Sequence, residues 1–298
     1  MLTATLIAKP GALDPELVHS LRNAWGGGDA VWLSPDEAAE FPLMVRPGNL
    51  PQVWESLQAE GVDLCVQPTG HRRKKLLIAD MDSTMIGQEC IDELADAAGV
   101  GPQVAEITAR AMNGELDFEG ALIERVGLLA GLDASVIDTV LAERITDAPG
   151  GAALVATMKA AGAHALLVSG GFTAFAAPVA ERLGFDAAQA NDLLVEGGKL
   201  TGEVRRPILG HAAKVEALDR TVARLGLSTA GVLAVGDGAN DLGMLGRAGM
   251  GVAVHAKPAV QAQCELRINH GDLTALLFLQ GYARSDFTHP PEPEDYAV

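Results

Sequence analysis

Three short apolar runs, "KLLIAD" at 75–80, "HALLVSG" at 164–170 and "GVLAVGD" at 231–237, each stop at a polar residue or glycine where the chain must turn. Runs that short, without polar alternation, are strands buried on both faces, the pattern of a parallel sheet covered by helices. Ligands of such sheets bind beyond the carboxyl ends of the strands. Asp80, Ser169 and Asp237 are therefore predicted to converge on one site. A fourth run, "GMGVAV" at 249–254, is predicted to extend the sheet. The composition, 48% hydrophobic but only 4% aromatic, suits helices packed on a parallel sheet better than a sandwich.

The 298 residues exceed a typical single domain. Residues 1–70 read as strand "TATLIA", a helix from Pro15 to Trp25, strands "AVWLS" and "FPLMV", helix "PQVWESLQAEG" and strand "VDLCVQP". That β-α-β-β-α-β order is ferredoxin-like. Such domains resemble ACT-type amino-acid sensors, although no residue here marks a ligand site. Between the first two buried strands, "QECIDELADAAG", "GPQVAEITARAMNG", "DFEGALIERVGLLAG" and "DASVIDTVLAE" each carry helical spacing punctuated by Gly or Asp. The expected fold class is α/β: a Rossmann-like parallel sheet with an inserted helical cap at about 87–148, plus a small N-terminal α+β domain. Expected domains are 1–72, 73–284 and an acidic, Pro-rich, disordered tail at 285–298.

The net charge of −17 argues against a nucleic-acid binder, because phosphate contacts need clustered Lys and Arg. The basic run "HRRKK" at 71–75 reads as a solvated linker. Ala160 to Ala180 has no charged residue and is long enough to span a bilayer, but His164, Ser169, Gly170, Gly171 and Pro178 interrupt it, so no membrane span is expected. The N-terminus has no basic n-region before its apolar run, and secretion is not expected. Cys65, Cys90 and Cys264 have neither metal spacing nor an even framework, which fits a reducing cytoplasm.

Asp80 and Asp82, one residue apart on a strand-end loop, can place one carboxylate and one backbone carbonyl around the same cation. Hard oxygen donors with water suit Mg2+. "VGDGANDLGML" at 235–245 adds Asp237 and Asp241. As a dinucleotide loop it fails, since Asp241 stands at the sixth position where Gly or Ala is needed and would repel a pyrophosphate. Acids near a phosphate make sense with a cation between them. Ser169 in "VSGGF" offers a hydroxyl and consecutive N–H groups before a helix, although such a stretch by itself is more often a turn and helix cap. Lys214, a surface helix lysine in most proteins, could neutralise a phosphoryl group near these acids.

Together these residues resemble the four ordered motifs of the haloacid dehalogenase-like phosphohydrolases: D-x-D-x-T at Asp80, Asp82 and Thr84, then Ser169, Lys214, and G-D-G-x-N-D from Gly236 through Asn240 to Asp241. The agreement runs from Lys75 to roughly Phe278. The resemblance implies that Asp80 attacks phosphorus to form an aspartyl-phosphate, while Asp82 protonates the leaving alkoxide and then activates water. It implies Mg2+ on the Asp80 carboxylate, the Asp82 carbonyl and Asp237, with Thr84 and Asp241 supporting them from behind. Ser169, the Gly170 N–H, Lys214 and Asn240 would hold phosphoryl oxygens.

The cap should set the substrate. "DMDSTMIGQECIDELA", Phe118, Arg125 and "VSGGF" are similar to the phosphoserine phosphatase family, which closes serine biosynthesis. The resemblance implies O-phospho-L-serine as partner, its ammonium on Glu89, its carboxylate on Arg125 and Phe118 closing over it; charge alone would equally allow an ordinary helix surface. Three rivals stay open: hydrolysis of another small phosphomonoester or phosphotransfer to an alcohol, a phospho-accepting receiver, and an amino-acid sensor. Receiver order is disfavoured by the acceptor's place on the first strand. Oligomeric state is not legible, though ferredoxin-like appendages often pair through their sheets, which leaves a homodimer open.

Overall fold

The computed structural model describes residues 1–112 and 115–288, without the side chains of Met112 and His211. The N-terminal part is β1 (Leu2–Ile7), α1 (Pro15–Ala24), β2 (Val31–Ser34), β3 (Ala38–Leu43), α2 (Leu50–Ala59) and β4 (Asp63–Pro68), the order the sequence predicts. Its antiparallel sheet runs β2-β3-β1-β4. Then come β5 (Leu76–Ala79) and four helices: α3 (Cys90–Ala97), α4 (Gly101–Met112), α5 (Phe118–Gly127) and α6 (Val136–Glu143). The chain continues through α7 (Gly151–Ala160), β6 (His164–Phe172), α8 (Thr173–Leu183), β7 (Ala187–Asn191), β8 (Leu193–Glu196), β9 (Lys199–Val204), α9 (His211–Leu225) and β10 (Val232–Gly236). It ends with α10 (Leu242–Arg247), β11 (Met250–Val254), α11 (Pro258–Gln261), β12 (Leu266–Ile268) and α12 (Ala275–Leu279).

The central six-stranded sheet runs β12-β11-β10-β5-β6-β7, all parallel, with every residue of β5 and β10 buried. Register aligns the carboxyl edge of the sheet. Ala79 pairs with Leu167 on one side and Val235 on the other, so the next residues, Asp80, Val168 with Ser169, and Gly236 with Asp237, emerge together. The apolar segment at 160–180 forms β6 and α8, and no helix among the described residues is long and apolar enough to cross a membrane.

The two sheets are joined through β4. Asp63, fully buried, accepts from the backbone N–H of Asn269 at 2.8 Å, His270 at 3.0 Å and Gly271 at 2.8 Å, which stitches β4 to the loop after β12. Burial raises its pKa against the pull of those three donors. Gln67 donates to the Leu279 carbonyl at 2.7 Å, and the Arg267 guanidinium lies 3.8 Å over the Trp54 ring.

Two expectations need correction here. The basic run is not a solvated linker. Arg72 grips Glu40 through two hydrogen bonds of 2.6 and 2.9 Å, Arg73 lies 4.1 Å over the Tyr282 ring, and Lys74 is buried, donating to the carbonyls of His71 and Ala230. These cations stitch the chain between its two sheets, where buried carbonyls and an acid need donors. The start of the predicted disordered tail is ordered as well: residues 284–286 form a 3-10 turn with Arg284 paired to Glu37, Phe287 packs 5.2 Å from Phe278, and Thr288 bonds Thr157. Packing Phe287, partly buried against the core, offsets the cost of ordering these residues. The rest of that tail, 289–298, lies outside the described residues.

Candidate active site

Asp80 ends β5 with its Oδ1 accepting from the Met81 N–H at 2.8 Å and from Lys214 Nζ at 2.6 Å. Lys214, on α9 and 3% exposed, also reaches Asp241 Oδ1 at 2.6 Å. Burial lowers the lysine's pKa, but the two acids more than offset this and leave it above its ordinary value. A cation so placed carries little net charge outward, because both partners are anions.

Asp237, after β10, accepts at Oδ1 from the Thr84 hydroxyl at 3.1 Å. Asp241 folds back under the strand end, taking the Gly238 N–H at Oδ2. The glycines flanking Asp237 follow from that fold-back: a Cβ on Gly236 would lie 2.3 Å from the Asp241 carboxyl carbon. Oxygens of Asp80, Asp237 and Asp241 all lie within 4.8 Å of one another. Burial, then the charge of Asp80, raise the pKa of both Asp237 and Asp241. Three buried carboxylates crowded round one lysine leave negative charge uncompensated, and an all-oxygen donor set of this kind fits a hard divalent cation.

The Asp82 carboxylate turns away from that trio. Its Oδ1 accepts from the Cys90 N–H at the start of α3 at 2.8 Å, and its Oδ2 from the Ser169 hydroxyl at 2.9 Å. Ser169 Oγ in turn accepts from the Gly171 N–H at 2.8 Å. Burial raises the Asp82 pKa against the pull of the Cys90 N–H. Ser169, expected to face a phosphoryl group, is thus committed here to Asp82.

Above this edge opens a cavity of about 1170 Å3 lined by Asp80, Asp82 and Asp237 below and by Glu89, Phe118 and Arg125 on the helical side, with Gly170 and Asn240 between. The Phe118 ring lies against the β6 turn, so a Cβ on Gly170 would meet it at 3.2 Å. Glu89 Oε1 accepts from the Ser83 hydroxyl at 2.8 Å; enclosure by the cavity walls, then the Asp82 charge, push its carboxyl up to about 7. Arg125 donates Nε to the Ala121 carbonyl at 3.2 Å. Burial lowers its pKa while Asp92 and Glu89 oppose that, and a guanidinium stays charged regardless.

The structure therefore brings the predicted residues together around one cavity at the carboxyl edge of the sheet, with Lys214, Asp241, Thr84 and Ser169 buried behind and the others lining it, Glu89, Phe118 and Arg125 from the helical side. Sequence reasoning missed Asp92 and Lys257, which also line the cavity, and the β8–β9 hairpin, which closes against the helical insert through Gly131 N–H to Leu200 O and Ala134 N–H to Gly198 O. The hairpin had a signal, Gly197-Gly198 between two apolar-alternating runs.

Residues 77–246 match the haloacid dehalogenase-like hydrolase family. A phosphoserine phosphatase from Streptomyces coelicolor is 47% identical over 231 residues, covering 76% of this chain and 56% of that protein, so this chain spans little more than half that relative's length. Among solved structures, a haloacid dehalogenase family hydrolase from Salmonella enterica serovar Typhi superposes with a TM-score of 0.84 at 31% identity, over 94% of this chain and 98% of that one. A structure described as a phospho-aspartyl intermediate analogue of phosphoserine phosphatase gives a TM-score of 0.64 at 39% identity, over 69% of this chain and 98% of that one. With acids, lysine and strand ends arranged as above, the chain belongs to the haloacid dehalogenase-like hydrolases and, within them, to the phosphoserine phosphatase family.

Proposed function

We propose that this chain hydrolyses O-phospho-L-serine to L-serine and phosphate with Mg2+ and an Asp80 aspartyl-phosphate intermediate. The reading rests above all on Asp80, held by Lys214 at 2.6 Å on the cavity floor beneath Glu89 and Arg125. The Asp80 carboxylate attacks phosphorus in line as the ester P–O bond breaks, and Asp82 gives its proton to the leaving serine oxygen. Burial of Asp82 favours the protonated form this step requires. Asp82, now ionised, then takes a proton from the water that attacks the aspartyl-phosphate, which frees phosphate and restores Asp80. Lys214, the Gly170 N–H and Asn240 stabilise phosphoryl charge, and Ser169 orients the Asp82 carboxyl. Mg2+ would be held by Asp80, the Asp82 carbonyl and Asp237 with Asp241 behind, and supplies charge neutralisation. Glu89 receives the substrate ammonium, Arg125 its carboxylate, and the helical insert with Phe118 acts as the cap.

The direct test is phosphate release with Mg2+ from O-phospho-L-serine beside a phosphomonoester lacking the amino-acid head. At least a tenfold preference in kcat/KM for phosphoserine is expected, about 1.4 kcal/mol. A flat profile would remove the roles of Glu89 and Arg125.

Metal dependence should also appear in stability. Asp82, Glu89, Asp237 and Asp241 all have raised folded pKa values, so between the ordinary carboxylate range and about 7, set by Glu89, the folded state binds more protons than the unfolded one. Metal-free protein therefore loses stability as pH rises through that window. Mg2+ in hundredfold excess over its dissociation constant should raise Tm by about 5 °C at pH 7.5 and by clearly less at pH 5. Equal gains at both pH values would contradict a site built from these acids.

A further inference from the structure

The phosphate of the proposed substrate is a dianion, and among the ionisable groups on the cavity wall acids outnumber bases. Among the described lining residues, Arg125 and Lys257 are the only basic side chains. Lys214 lies behind the floor, its charge shared with Asp80 and Asp241 at 2.6 Å each until Asp80 engages the phosphoryl group, so it does little to draw the anion in from solvent. Arg125 sits on the helical side near Glu89 and Asp92, where the carboxylate end of an amino acid belongs. That leaves Lys257, beside Asp237 and Asn240 on the same lining, to face the phosphate end.

Lys257 is exposed, yet its backbone is pinned on every side. Its N–H points at the Asp237 carbonyl, 3.4 Å away, and its own carbonyl accepts from Val260 N–H at 2.9 Å and Gln261 N–H at 3.0 Å. Two residues earlier, His255 donates its N–H to the Ile268 carbonyl at 2.8 Å, and its Nε2 meets the Gly271 carbonyl at 2.9 Å. Gly271 is in turn fixed by Asp63 of the N-terminal sheet. Unlike Lys214, its ammonium takes part in no ion pair among the described residues, while its charge is felt at Asp237, where it lowers the pKa against the effect of burial. A fixed base carrying an uncommitted cation beside an acidic floor is an arrangement for meeting an anion from solvent.

We infer that Lys257 is a further substrate-binding residue, its ammonium receiving the phosphate dianion at the cavity mouth and directing it onto Asp80. The inference rests on the phosphomonoesterase reading above and adds a residue to it. Such a contact acts on capture rather than on the chemical step, so it should appear in KM and in salt dependence and leave kcat alone.

The test compares wild type with Lys257→Ala and Lys257→Arg, Mg2+ present throughout. At low salt, Lys257→Ala should raise KM for O-phospho-L-serine about tenfold with kcat within about twofold, and added NaCl should depress its kcat/KM less steeply than that of wild type. Lys257→Arg should retain most of the wild-type KM. Calorimetry with inorganic phosphate reads the same contact without turnover, and Lys257→Ala should weaken that binding by a similar factor. Unchanged phosphate affinity and KM, or a loss confined to kcat, overturns the inference. Absence of wild-type turnover alone would instead count against the enzymatic reading, and phosphate binding would still decide the role of Lys257.

Discussion

Replacing Asp80 with Asn is expected to lower phosphate release from O-phospho-L-serine by ~10^4-fold or more while the protein stays folded, a loss of the size seen when a covalent nucleophile is removed. The amide is nearly isosteric, so the tight space below β5 is not disturbed, but its nitrogen and carbonyl are poor nucleophiles towards phosphorus. Lys214 keeps its 2.6 Å contact with Asp241. The substitution also removes a charge that raises the pKa of Asp82, Glu89, Asp237 and Asp241, so metal-free stability should hold or rise at neutral pH. Thermal unfolding checks this. Weaker metal binding is a competing cause of lost activity, so the assay belongs at saturating Mg2+. Acid quenching during turnover of labelled substrate should recover phosphorylated protein from wild type and none from Asp80→Asn. If the variant retained more than about one per cent of activity, Asp80 would not be the nucleophile.

Two acids of the proposed site were legible because each interrupts a pattern. Asp80 and Asp237 stand where an uninterrupted apolar run stops, and in a parallel sheet that position has one meaning: the carboxyl edge. Lys214 was legible only in company, since nothing in "GHAAKVEAL" separates a buried lysine bridging two acids from one in solvent. Asp63 left no signal at all. A carboxylate at the start of a strand is ordinary, and only the fold reveals that three N–H groups more than 200 residues away converge on it. The run at 71–75 misled for the same reason. Charge density predicts solvent, but Arg72 is satisfied by Glu40 on β3 and Lys74 in part by the Ala230 carbonyl just before β10, partners distant in the chain. Local periodicity records what one element needs from its own faces; it holds nothing about partners supplied by distant chain, and the seam between the two sheets consists largely of such partners.

The same distinction bears on specificity, which in the proposed reaction would depend on residues from the helical insert rather than from the sheet. Arg125→Ala is expected to reduce kcat/KM for O-phospho-L-serine about 100-fold, chiefly through KM, and to leave a phosphomonoester without the amino-acid head within about twofold of wild type. The guanidinium, steadied by its Nε bond to the Ala121 carbonyl at 3.2 Å, is half-buried on the cavity wall. A two-point contact between such a group and a carboxylate is worth about 3 kcal/mol, roughly 100-fold, because both partners give up water and neither can be satisfied otherwise. Lys at this position keeps the charge but not the fork, so Arg125→Lys should recover only part of the loss. Removing Arg125 also leaves Glu89 and Asp92 without the cation that opposes their raised pKa values, and Glu89 should then hold its proton to higher pH in metal-free protein, which carboxyl-carbon NMR can follow. Parallel losses on both substrates would place Arg125 in support of the shared chemistry, and selection of the amino-acid head would have to be sought elsewhere on the insert.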